Sequence, residues 1–512
     1  MASSGTLHNR LDALHPAIEA LMRLGGTPGL SLAVFNGDID DDGDDAAVYY
    51  ASFGVRDITS KLPVTSDTRF PACSLAKAVS AAAMSILIDE GKATWEMLAK
   101  DAVPSFSEAQ DTVLTQSTTL ADLFSHRSGM SSLGALVGGS ENNVLVSTQA
   151  DMLRAVKLAQ MPVANFVDKR VFLPLRMKRS SMEPPDDHDS DDNTCSCYNV
   201  LDDGTSVCIP TPRVGANGVG AASGGLWTTT RDLVKLYRAM LRSYCGDQDT
   251  PFRDIAQTEE AHVAMPGNDT SYGLGWVRTR LPNRLGQIGL NGRLFPGDMP
   301  TVGNSLERNP LVVYHQGTLP GALACVVLLP ETNQFVVVLS NALALTDVPD
   351  WVAHMVVEGL LGVPYEHRVD VMEYAQRSIK VNLGWYSGVQ KELAEVAHKK
   401  PLSRSLDKYV GTYVDNTDIF RLVVTLEDGV HLSWAFQGLP SERYRLTHFD
   451  GDTFTWLHTR NELVSRGRWV LGDDTDSESW KTTFHANEEG TITSVQWRYD
   501  PAMPPMEYRR VV

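Results

Sequence analysis

The segment Ser74-Leu-Ala-Lys77 sets a hydroxyl and an amine three residues apart. On a helix, residues at that spacing lie on one face, one above the other. A serine hydroxyl is a weak nucleophile until a base removes its proton. A lysine can be that base where burial disfavours its charged form. The surrounding segment, PACSLAKAVSAAAMSILIDEGK, is apolar nearly all round and stops at Gly91, the pattern of a buried helix with a glycine stop. Ser74 falls near the start of that helix, where the helix dipole favours developing negative charge. Ser405-Leu-Asp-Lys408 has the same spacing, but its charged neighbours predict a solvated segment and a chance match. Ser74 is therefore the candidate nucleophile and Lys77 the candidate base.

Other motifs read as structure. Asp38-Ile-Asp40-Asp-Asp42-Gly43 matches the first half of a calcium-binding loop, but Tyr49 stands where the closing Glu belongs. It reads as a solvated acidic turn between two strands. GANGVGAASGG (215–225) lacks the glycine spacing and the βαβ frame of a dinucleotide loop and reads as a backbone-crowded loop. Cys195-Ser-Cys197 with Cys208 lacks a zinc-knuckle spacing and a nearby His, so no metal site is expected. Cys73, beside the candidate nucleophile, reads as a small packed residue.

The elements that must position Ser74 follow from pattern. LSLAVF (30–35) and VYYASFGV (48–55) predict a hairpin, and TTTRDLVKLYRAML predicts a capped amphipathic helix. LACVVLLPETNQFVVVLSNA (323–342) predicts a strand pair turning at Pro330–Asn333. The character changes near residue 365. A mostly helical stretch to about 400 precedes the runs FRLVVTL, VHLSWAF, TFTWLH, GRWVL, WKTTFHA and ITSVQWRY. Six to eight such strands predict a small antiparallel barrel or sandwich.

The chain has 512 residues, enough for two or more domains. Lys plus Arg number 45 and Asp plus Glu 63, so the formal charge is −18. That charge repels phosphate backbones and anionic lipid, which argues against nucleic acid or a membrane surface as partner. No apolar run is long enough to span a bilayer. The N-terminal residues lack the pattern of a secretory signal, and six cysteines give no disulfide framework, so a cytoplasmic protein is expected.

GGTPGLSLAV, TRFPACSLAK, LADLFSHRSGM, FVDKRVFLPLRM, ASGGLWTTTRDLVKL, YGLGW and YHQGTLPGALACVVLLPETNQFVVVLSNA occur in this order. Together they resemble the serine β-lactamase-related family of class C β-lactamases, D-alanyl-D-alanine carboxypeptidases and esterases, over about residues 25–360. In detail the chain looks most like the fungal acyltransferase-like branch. From KYVGTYVDN onward it resembles the lipocalin-like β-domain appended to many relatives. The resemblance implies an α/β fold: an antiparallel sheet flanked by helices with an all-helical lobe, then a small antiparallel β-barrel. The expected division is 1–365, a helical connector at 366–400, and a β-domain at 401–512. The resemblance also implies that Ser74 carries the acyl group, that Lys77 activates it, and that His315-Gln316-Gly317 lines the pocket. The N–H groups of Ser74 and Thr318 would form the oxyanion hole.

One family element is missing. Its Tyr-x-Asn should lie between SHRSGM and FVDKRVFLPLRM, yet no tyrosine occurs between Tyr50 and Tyr198. The deletion joint falls near Ala164 and Asn165. Tyr198-Asn199 is not a Tyr-x-Asn motif and is a poor substitute. Three readings stay open: a weakened enzyme, an inactive relative with a binding or scaffold role, or a mispredicted product of an active gene. The expected function is a serine hydrolase or acyltransferase acting on an ester, thioester or amide of a small molecule, plausibly in secondary metabolism. The acyl donor would be a metabolite or a carrier-protein-bound group, and no cofactor is expected. The acceptor, water or another molecule, and the oligomeric state stay open.

Overall fold

The strand pair expected at 323–342 forms the middle of a nine-stranded antiparallel sheet in this computed structural model. The sheet runs, edge to edge, Leu62–Pro63, Val48–Asp57, Gly29–Asn36, Gln334–Ser340, Ala322–Leu329, Leu311–Leu319, Val277–Arg280, Ser271–Tyr272 and Val263–Ala264. The structure describes residues 4–37, 47–103, 106, 112–129, 163–185, 193–212, 214, 220–266, 269–396, 400–416, 418, 420–468, 476–498 and 504–511. The acidic turn at 38–43 and, up to residue 162, the interval expected to hold the Tyr-x-Asn motif lie outside them.

The central strands are apolar without alternation because both faces are covered. Ala322–Leu329 is buried at every position. On one face Ala33, Val313, Val326 and Val337 meet the helices Ala76–Asp89 and Thr230–Tyr244. On the other, Leu32, Val312, Tyr314 and Val338 meet the helices His15–Gly25 and Val348–Leu360. Residues alternate between the faces along Leu311–Leu319. His315 and Gly317 therefore share the face of Val313, toward the helix that follows Ser74, and Gln316 shares the face of Tyr314.

The local signals explain the flanking helices. Thr229 caps Thr230–Tyr244 by accepting from the Asp232 N–H. Asn333, in the left-handed conformation at φ 51°, closes the turn between Ala322–Leu329 and Gln334–Ser340. The helix Val163–Val167 passes through the expected deletion joint without a break and continues into a wider turn at Asp168–Phe172. Its Phe166 and Val167 enter the same core as the Ser74 helix.

The described residues form two compact units, one reaching Gly129 and resuming at Val163 to Ile379, the other from Lys380 onward. In the second, eight strands from Gly411–Val414 to Met506–Arg510 close an antiparallel barrel. Its interior is filled by the rings of Trp434, Phe436, Tyr444, Trp456 and Trp497, neighbouring centroids lying 5.3–5.7 Å apart. Most of GRWVL, from Trp469 on, lies outside the described residues. Thr459 and Glu462 cap the short helix Arg460–Ser465, and Gly467, at φ 73°, and Arg468 turn back onto it. The strands Arg443–Asp450 and Met506–Arg510 were not among those expected. No helix among the described residues is long and apolar enough to cross a membrane.

Candidate active site

Ser74 sits where a strand turns sharply into a helix. Phe70–Cys73 pairs with Leu226–Thr228, and the register slips between Pro71 and Cys73. Cys73 then takes φ 52°, an uncommon conformation for a residue with a side chain, which marks strain held by the surrounding structure. The helix Ala76–Asp89 follows at once, so Lys77 lies in its first turn. Its Nζ is 2.7 Å from Ser74 Oγ and 3.2 Å from the Ser223 carbonyl oxygen. Ser223 belongs to the short helix Ala221–Gly224 in the glycine-rich stretch, and Ser80 Oγ, donating to the Ala222 carbonyl at 2.7 Å, ties that turn to the Ser74 helix. Loss of water around the amine, with the positive charge of Arg293 adding to it, lowers the Lys77 pKa to about 8. A fraction of the amine is thus uncharged near neutral pH and can accept the Ser74 proton.

The strand Leu311–Leu319 closes the site from the other side. A β-carbon at position 317 would lie 2.8 Å from Cys73 Cβ, 2.9 Å from the Ala72 carbonyl oxygen and 3.1 Å from the Ser74 nitrogen. Only glycine allows so close an approach. The Ser74 nitrogen and the backbone at Gly317 are thereby brought side by side.

His315 is 3% exposed on this same face. Its Nδ1 lies 2.5 Å from the Gln316 carbonyl oxygen and its Nε2 3.2 Å from Tyr272 Oη. Burial, reinforced by the charge of Lys77, lowers its pKa to about 3, so it is uncharged at neutral pH. Tyr272 reaches it from the YGLGW turn. Gly275, at φ 83°, packs so tightly that a β-carbon there would lie 2.9 Å from the Lys77 carbonyl oxygen. The His126 ring meets Tyr272 edge-on, with centroids 5.2 Å apart. Ser223, Tyr272 and His126 were not singled out from sequence. All three lie in fragments that carry the family resemblance, but no spacing rule links them to Ser74.

The opposite face of the strand is braced by buried polar groups. Gln316 Nε2 donates to Asp350 Oδ1 at 3.1 Å, and Asn291 Nδ2 donates to Asp350 Oδ2 at 2.9 Å. Asp347 begins the helix Val348–Leu360, its carboxyl oxygens accepting from the N–H groups of Asp350 and Leu290.

Several residues fall elsewhere. Tyr198 Oη accepts from the Ile58 N–H at 2.8 Å and donates to Asp57 Oδ2 at 3.1 Å, which leaves it committed to the hairpin. Lys408 is exposed and its Nζ pairs with Asp407 at 3.2 Å, so Ser405-Leu-Asp-Lys408 holds no serine–lysine contact of the kind made by Ser74 and Lys77. Cys73 is fully buried, and burial pushes its thiol well above the ordinary range. Among the described residues no group of three or more His, Cys, Asp or Glu is arranged to hold a metal ion.

The beta-lactamase family model matches residues 14–356, which is more than half of the chain and includes every residue of this site. The chain belongs to the beta-lactamase family. A second model, a domain of unknown function (DUF3471), matches residues 396–510 and covers the barrel. No curated protein matches the chain. Among solved structures, the octameric penicillin-binding protein homologue from Pyrococcus abyssi superposes with a TM-score of 0.54 at 18% identity. That alignment covers 97% of this chain and 99% of the other, a likeness of fold. The β-lactamase family normally comprises serine hydrolases, and a Ser–Lys pair beside a close-packed strand is consistent with that chemistry.

Proposed function

We propose that this chain is a serine hydrolase or acyltransferase that forms an acyl-enzyme on Ser74. The observation that carries the reading is the 2.7 Å contact between Lys77 Nζ and Ser74 Oγ at a partly desolvated amine. The Ser74 proton passes to uncharged Lys77 as Oγ attacks the acyl carbonyl. The N–H groups of Ser74 and Thr318 hold the resulting oxyanion, an arrangement that commonly contributes a few kcal/mol to the transition state. The bond to the leaving group breaks, and Lys77 returns the proton to it. Water or an acceptor alcohol or amine then takes the acyl group from Ser74.

The resemblance to the fungal acyltransferase-like branch supports an ester, thioester or amide of a small metabolite as substrate, with a metabolite or carrier-protein-bound acyl donor. It also supports a place in secondary metabolism. The same resemblance supports a lipocalin-like reading of the barrel.

The missing Tyr-x-Asn favours a second reading, a slow or inactive relative that binds rather than turns over. Tyr198 does not replace it, being held by Asp57 and Ile58. A panel of acyl thioesters and p-nitrophenyl esters, assayed with and without small alcohol and amine acceptors, separates the two. Product that depends on Ser74 supports the enzyme. Binding without Ser74-dependent product supports the second reading.

A further inference from the structure

The edge of the nine-stranded sheet that ends in Val263–Ala264 holds a cleft of about 590 Å³, and none of the residues placed around Ser74 lines it. Sites for small molecules commonly enclose roughly 300–1,000 Å³. Strand register builds the floor of the cleft. Ala264 pairs with Ser271, Ser271 with Arg278, and Arg278 with Val313, so the side chains of Ser271 and Arg278 are neighbours on one face. The surrounding backbone is fixed: the Met265 N–H donates to the Thr270 carbonyl at 3.0 Å, and the Thr270 and Thr279 hydroxyls meet at 3.1 Å.

The charge in the cleft is not balanced from within. Arg278 is half-buried, and among the described residues its guanidinium makes no hydrogen bond or ion pair. Arg280, two residues on, is engaged by Glu331 at 2.9 Å. Glu259 is the buried carboxyl on which the Arg278 charge bears. Burial pushes it up to about 8, so at pH 7 it is mostly protonated and leaves the guanidinium uncompensated. Ser271 Oγ, also half-buried, has no hydrogen-bond partner among the described residues. A guanidinium presents a planar fork of donors that matches a carboxylate or a phosphate.

We propose that this cleft is a second binding site, independent of Ser74, for a small organic oxyanion. The carboxylate or phosphate accepts from the Arg278 guanidinium and from Ser271 Oγ. The apolar body lies against Val263, Ala264 and Met265, which line the same cleft. Asp269 is the carboxylate of the lining and opposes the ligand's charge, so it weakens binding and its removal should tighten it.

Isothermal titration of the full chain at pH 7 and low salt, with benzoate, phenyl phosphate and the uncharged benzamide, tests this. Saturable binding of benzoate or phenyl phosphate is expected, the tighter of the two showing whether the site takes a carboxylate or a phosphate. Benzamide, and either anion with Arg278→Gln, should bind at least about tenfold more weakly, the scale of a lost charged hydrogen bond. Arg278→Lys keeps the charge without the fork and should fall between. Asp269→Asn should bind more tightly, and Ser74→Ala should bind as wild type does. Thermal melts confirm that each variant is folded. Benzamide binding as tightly as benzoate, unchanged affinity in folded Arg278→Gln, loss of binding in Ser74→Ala, or no saturable binding of either anion overturns the proposal. Should Arg278→Gln not fold, unchanged affinity in both Ser271→Ala and Asp269→Asn overturns it equally.

Discussion

Gly317 lies so close to Ser74 that a β-carbon on residue 317 would be 3.1 Å from the Ser74 nitrogen. The contact joins the strand Leu311–Leu319 to the turn that presents Ser74, and in the proposed mechanism it would set the spacing of the two oxyanion donors, the N–H groups of Ser74 and Thr318. Gly317→Ala must therefore push the strand away from Ser74. Losing one oxyanion donor typically costs about 100- to 1,000-fold in rate. We expect acylation of Ser74 to fall at least about tenfold, a floor set below that range because the strand is displaced and not lost, while overpacking lowers stability by about 1–3 kcal/mol. Rapid-quench acylation rates and urea unfolding of the variant check both. An unchanged acylation rate in the folded variant would show that the strand takes no part in the chemistry.

The lowered pKa of Lys77, about 8, fixes the direction of the pH dependence. In the proposed mechanism the base is the uncharged amine, so the acylation rate should rise with pH through about 8 and level off above it. Lys77→Arg stays charged throughout and should react about 100-fold or more slowly, in the range typical for loss of general-base help. A pH–rate profile of single-turnover acylation is the measurement. A rate that falls as pH rises through 8 would contradict the assignment.

The Ser–Lys spacing was legible because it lies on one unbroken, nearly all-apolar segment, and the helix Ala76–Asp89 formed where that segment predicts. His315 and Gly317 came from the family resemblance and not from spacing; the strand Leu311–Leu319 then places both on one face. Tyr272 and Ser223 were not legible in this sense. Each reaches the site through a turn, at Gly275 and in the glycine-rich stretch, and a turn carries no periodicity from which direction can be read. In the barrel, the short helix Arg460–Ser465 was not singled out from sequence, although the capping pair Thr459 and Glu462 starts it.

Asp347 offers a test of the bracing behind the strand. Burial, with the negative charge of Asp350 adding to it, holds its carboxyl well above the ordinary value of 3.8. The folded chain keeps this proton at pH values where the unfolded chain has lost it, so this group's contribution to stability falls as pH rises above about 3.8. Asp347→Asn is uncharged in both states and lacks that slope. Urea unfolding should find the variant's deficit relative to wild type smaller at pH 8 than at pH 5. A deficit that grows between those values would contradict the direction of the shift.

The central claim is that Ser74 is the nucleophile. Intact-protein mass spectrometry after incubation with a fluorophosphonate, followed by peptide mapping, tests it most directly. The account predicts one phosphonyl adduct per chain on Ser74, absent in Ser74→Ala and faster to form as pH rises toward 9. A folded wild-type chain that gains no adduct, or an adduct that persists at full level in Ser74→Ala, would contradict it.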